Sequence, residues 1–109
     1  MDYISELYSV MESEYRKYLE RLWNYSPQYV AMCANDIFHL ASFLDAFETA
    51  DITQDDAKAM LALIENPLMY MYKDWLLHEN AEIDKSCYVK KLNDLTREYG
   101  TIYKKLLKQ

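Results

Sequence analysis

One glycine, Gly100, and two prolines, Pro27 and Pro67, are all the residues of those types in 109 positions. A sandwich or barrel of this length needs a turn every ten or so residues, with glycine or proline at many of them. Long helices need almost none. Half of the residues are apolar, enough to bury a core. One core of ordinary size fits this length and two do not. The reading is all-α. Residues 1–109 form a single-domain bundle of about five helices: two long N-terminal ones, a short helical pair and one long C-terminal one.

The first helix follows from Ile4, Leu7, Tyr8, Met11, Tyr15, Tyr18, Leu19 and Leu22, spaced three and four apart. Glu6, Glu14, Arg16, Lys17 and Glu20 fall mostly around the rest. "NYSPQ" ends it, and Ser26 with Pro27 reads as the cap and first residue of a second helix. That helix is expected to run unbroken to about Glu48. Apolar nearly all round, from Val30 through Ile37 and Phe38 to Phe47, it belongs in the middle of a bundle. "ENP" separates two further helices. Asn66 is the expected cap of the second, with Pro67 at its first position. "HENAEIDKS" is a polar connection. The last helix carries Tyr88, Leu92, Leu95, Tyr99, Ile102 and Leu106, a coiled-coil-like seam that Gly100 weakens.

Asp51, Asp55 and Asp56 crowd into six residues before the apolar run "AKAMLALI". Thr53 is an N-cap candidate, Asp56 can reach back as the acid of a capping box, and Asp55 suits the first turn electrostatically. A calcium loop needs a central glycine and a glutamate at its twelfth position, and "DITQDDAKAMLA" has neither. Asp36 and His39 lie three apart, Asp74 and His78 four apart. Di-metal bundles require glutamate-x-x-histidine pairs and further inward glutamates, so these pairs do not fit. His39, flanked by Asn35 and Ser42, reads as a satisfied polar group at the bundle edge. Cys33 and His39 fall on different faces and cannot act as nucleophile and base. No glycine-rich phosphate loop exists. The chain is read as non-enzymatic, with no catalytic residue, no cofactor and no metal site.

The net charge of −6 argues against general nucleic-acid binding, which needs a basic footprint. Charge is uneven: residues 36–82 hold ten acids and two bases, while 84–109 hold three acids and seven bases. An acidic middle suits a basic protein partner. Eleven tyrosines and two tryptophans add amphipathic rings suited to half-buried edges and interfaces, and Tyr70 is the ring expected to be exposed. Cys33 and Cys87 form no disulfide framework and read as reduced, half-buried thiols. No signal peptide and no membrane-spanning run is expected, which places the chain in the cytoplasm.

"ADITQDDAKAMLALIENPLMYMYKDWLLHE", with "SEYRKYLE" and "SP" upstream, resembles a family of short helical proteins, a domain of unknown function, from gut Firmicutes and their mobile elements. The resemblance covers residues 10 to 85, rests on helix boundaries and carries over no catalytic residue. It implies an accessory factor that binds one host or element protein, such as an inhibitor of a defence nuclease of the anti-CRISPR kind. The expected partner-binding set is Asp51, Asp55, Asp56, Glu65, Tyr70, Asp74, Trp75 and Glu79, presented to a basic surface. Two alternatives stand beside it. One is a structural or regulatory homodimer paired through the Tyr88–Leu106 seam. The other is a helix-turn-helix regulator built on the "ENP" turn, although its reading helix would offer a single base.

Overall fold

The computed structural model describes residues 2–78 and 85–108. Glu79, the connection 79–84 and the side chain of His78 lie outside the described residues. Six α-helices and no strand occur among the described residues: α1 (Tyr3–Leu22), α2 (Pro27–Met32), α3 (Ala34–Ala46), α4 (Gln54–Leu63), α5 (Pro67–His78) and α6 (Lys85–Leu107). The chain is an all-α single domain with one continuous core, to which α1, α3, α4, α5 and α6 all contribute.

Local capping sets most boundaries. Asp2 accepts from the Ser5 N–H at the start of α1. Ser26 Oγ accepts from Tyr29 N–H before Pro27, as expected. Thr53 Oγ1 accepts from Asp56 N–H at 3.1 Å and opens α4. Asp56 does not close the expected capping box. Its carboxylate is turned to α6, where a Cβ built on Gly100 would stand 1.9 Å from Asp56 Oδ1. The one glycine therefore marks a close approach of α6 to α4 rather than a weak point left in a seam.

Two expected elements differ. The long second helix is broken at Cys33, whose φ of −91° and ψ of 6° leave the α region. Beside this break, burial and then the Cys33 thiol raise the pKa of the Tyr18 hydroxyl, and the Cys33 thiol raises that of Tyr29. Only α3 enters the core, through His39, Leu40, Phe43, Leu44 and Ala46. The six-residue α2 buries nothing. The helix ends at Ala46 and passes into a 3-10 turn, Phe47–Thr49.

The N-terminus of α5 is capped from afar. Glu14 of α1, placed by periodicity on a polar face, accepts from Leu68 N–H (Oε2, 2.8 Å) and Met69 N–H (Oε1, 3.2 Å). Asn66 supplies its backbone carbonyl to Tyr70 N–H. Pro67 and Leu68 are buried, and the Glu14 carboxylate serves the donors of this first turn.

The α6 seam divides. Tyr88, Leu92, Leu95 and Thr96 are buried in the bundle, whereas Ile102, Leu106 and Leu107 are 37%, 48% and 67% exposed. The helix closes the bundle with its first half and leaves it with its last turns.

Two predictions test this packing by urea denaturation. Glu14→Ala should cost about 1–2 kcal/mol, and Glu14→Gln, which keeps one acceptor oxygen, about half as much. No loss in Glu14→Gln would show that the second N–H needs no partner, and a loss equal to that of Glu14→Ala would show that the retained oxygen contributes nothing. Gly100→Ala should gain less than the ~1 kcal/mol expected from helix propensity while Asp56 is present, and recover that gain beside Asp56→Ala. Strict additivity would mean that the carboxylate moves aside freely.

Candidate functional site

The most polar part of the interior is built around His39. Its ring is 8% exposed and Nδ1 lies 2.7 Å from the Tyr88 hydroxyl. Trp75 packs over it at 4.5 Å between centroids, with Tyr72 at 5.7 Å and Tyr88 at 6.1 Å. Beside it, the Tyr72 hydroxyl donates to Asp36. Burial pushes the Tyr72 and Tyr88 hydroxyls up, with Asp36 adding to the effect at Tyr72. Burial lowers the His39 pKa, and the Asp36 charge works against that. His39 is therefore a satisfied polar group, as the sequence implied, but it sits in the aromatic centre rather than at the edge. The open groove beside Tyr70 and a smaller hollow beside Arg97 are lined by none of these groups. The arrangement holds four rings and a carboxylate in register. No group of three or more His, Cys, Asp or Glu side chains suited to a metal occurs among the described residues. No described helix is long and apolar enough to cross a membrane.

The eight expected partner-binding residues do not form one patch. Asp51 and Asp55 are exposed at the corner between α3 and α4, beside exposed Asp45 and Glu48. The backbone there is fixed by Asp51 N–H donating to Asn93 Oδ1 at 2.7 Å. Asp56 is half-buried against Gly100. Glu65 stands at the other end of α4. With Tyr70 it lines an open groove of about 1420 Å³, whose other walls include Lys17, Arg21 and Lys73. Tyr70 is exposed, as expected, and its hydroxyl bonds to that of Tyr99 across an edge-on ring contact. Asp74 accepts from Lys91 at 2.8 Å in a partly shielded ion pair. Trp75 is 5% exposed, a core residue, and cannot serve as a surface anchor in this fold. The reason is its position on the face of α5 that meets His39 and Phe43. Glu79 lies outside the described residues. On α5, the side chains left to solvent include Tyr70, Lys73, Leu76 and Leu77, poor material for reading base edges.

An apolar surface was not foreseen. Trp23 is 84% exposed, Met32 81%, Tyr25 56%, Phe38 53% and Tyr29 44%. They come from the end of α1, the following turn, α2 and the start of α3. Tyr25 and Tyr29 pack against each other at 4.6 Å. The signal in the sequence was a gap: residues 22–35 contain no acidic or basic side chain, in a chain that is 28% charged.

The buried histidine gives a pH prediction with a defined sign. Burial holds its folded pKa below 6.5, so on unfolding it takes up a proton that the folded chain refuses. Stability is full above that pH and declines as pH falls through 6.5 towards the folded pKa. The urea midpoint should therefore drop between pH 7.5 and about 5.5. In His39→Gln that drop should shrink, leaving only what other groups contribute. An unchanged slope in the variant would remove His39 as its source.

Comparisons with protein-family models, with curated proteins and with solved structures find no match to this chain.

Proposed function

We propose that the chain is a non-enzymatic protein-binding module that offers an acidic surface to a basic partner. In its finer form the proposal is an inhibitor of a nucleic-acid-handling defence nuclease. The observation that carries the binding role is the α3–α4 corner. Asp45, Glu48, Asp51 and Asp55 are all exposed within eleven consecutive residues, and no lysine or arginine occurs between Arg21 and Lys58. Helix capping accounts for Asp55 alone. Gathering like charges destabilises the free chain, and a basic groove relieves that repulsion and speeds encounter. A groove built to hold a nucleic-acid backbone has the complementary sign. The finer form also draws on the family resemblance of residues 10 to 85.

Compared with the set read from sequence, the charged contact narrows to Asp51 and Asp55, joined by Asp45 and Glu48, because Glu65 stands at the other end of α4. Asp74 is committed to Lys91. Pairing through the α6 seam is the weaker alternative, because Tyr88 to Leu95 are already buried within one chain. The two turns that remain fall well short of the roughly 1,200 Å² of a stable interface.

The test starts with capture of a partner by the tagged chain from lysate of a related bacterium, with nuclease treatment. Affinity is then measured at low and high salt. Asp51→Lys with Asp55→Lys should weaken binding by about tenfold to a hundredfold, mostly through the on-rate, with helix content unchanged. The captured partner should also release bound duplex or guide strand when the chain is added. Undiminished binding by the charge-reversed chain would remove the electrostatic role. A stable ternary complex with nucleic acid would remove the inhibitor form.

A further inference from the structure

We propose that the uncharged face formed by Trp23, Tyr25, Tyr29, Met32 and Phe38 is a self-association surface that pairs two copies of this chain about a two-fold axis. The inference does not rest on the acidic-module reading and uses a different part of the molecule.

Three observations carry it. First, α2 is ordered without being needed by its own core. It has six residues, none buried, yet Ser26 caps it, Pro27 starts it, and Tyr25 packs on Tyr29 across its first turn. A helix this short is marginal unless tertiary contacts hold it, and here they hold a surface outward. Second, the size fits. At about 200 Å² for each large side chain, these exposures amount to roughly 600 Å², at the upper end of the usual largest patch on a monomer. Pairing it with an identical face buries about 1,200 Å², the lower bound for a specific interface.

Third, charge selects the occupant. Each copy carries −6, and approach through the α3–α4 corner sets acid against acid. The projecting end of α6 sets Lys104, Lys105 and Lys108 against their counterparts. Residues 22–35 carry no charge, so two copies meet there without that repulsion. A charged partner would find no ion pair on this face to fix its register, whereas an identical uncharged face is complementary by symmetry.

The full chain would be weighed by sedimentation equilibrium from about 1 to 100 µM at low and high salt. A dimer should form in this range and hold or tighten as salt rises, because salt screens the repulsion between acidic copies. Trp23→Ser and, separately, Met32→Ser should each weaken dimerisation by about tenfold or more. Both side chains are outside the core, so helix content, and the urea midpoint at a concentration low enough for the wild type to be monomeric, should stay at the wild-type values. Leu106→Ser and the Asp51, Asp55 charge reversal should leave the dimer intact. A wild-type chain that is monomeric at about 100 µM overturns the proposal, even if a different protein covers the face. So does a dimer that survives both surface changes, that is lost with Leu106→Ser, or that dissociates as salt rises. Partner capture by Trp23→Ser separates failure here from failure of the acidic-corner reading.

Discussion

The carboxylate of Glu14 at the start of α5 decides where that helix can lie. Pro67 brings no N–H, and the next two donors, on Leu68 and Met69, point to the two oxygens of Glu14 rather than to water. Burial raises the Glu14 pKa, and the two N–H bonds lower it by less, so the site strains against its own charge. The helix dipole and the paired donors keep the cap favourable only while α5 stays in contact with α1. With that end fixed, Tyr72 meets Asp36, Trp75 covers His39, and Asp74 meets Lys91. The polar contacts that α5 makes with α3 and α6 thus depend on where α5 begins.

Much of this was readable from the sequence because capping is local. Ser26 before Pro27, Thr53 before "QDD" and "ENP" before "LMYMY" mark three helix starts within a residue or so, since each signal involves neighbours along the chain. The Glu14 cap spans 54 residues and left no local trace beyond a glutamate on what looked like a polar face. The break at Cys33 was equally silent, with neither glycine nor proline there. Periodicity failed between Val30 and Phe38 for a physical reason: where every side of a helix is apolar, the pattern cannot say which side meets the core. The core took Leu40 and Phe43 and left Met32 and Phe38 outside.

The candidate site was legible in the same uneven way. Asp51 and Asp55 were placed correctly on the surface, because acids in a loop and a first turn have little reason to be buried. Trp75 was misplaced because an aromatic at helical spacing serves a core or an interface equally well, and only the position of α3 against α5 settles which. One buried cost stays visible there. Trp75 Nε1 has no hydrogen-bond partner among the described residues, and a buried donor left unpaired costs about 1–3 kcal/mol. Packing of its indole against His39, Phe43, Tyr72 and Tyr88 offsets that cost.

The neutral face and the acidic corner arise from one property, the absence of lysine and arginine between Arg21 and Lys58. That stretch of 36 residues supplies first uncharged rings and then carboxylates, with the buried part of α3 between them. Two interactions on such a stretch answer salt in opposite senses. Contact at the carboxylates is weakened by screening. Contact between the rings is apolar, and screening removes only the repulsion between the acidic bodies behind it. If both occur, the paired chain presents two acidic corners at once, and a partner with two basic sites within reach is held by effective concentration as well as by charge. A partner with one site gains nothing from the pairing. The salt response of partner binding and its dependence on Trp23 then report on separate surfaces, because the two share no side chain.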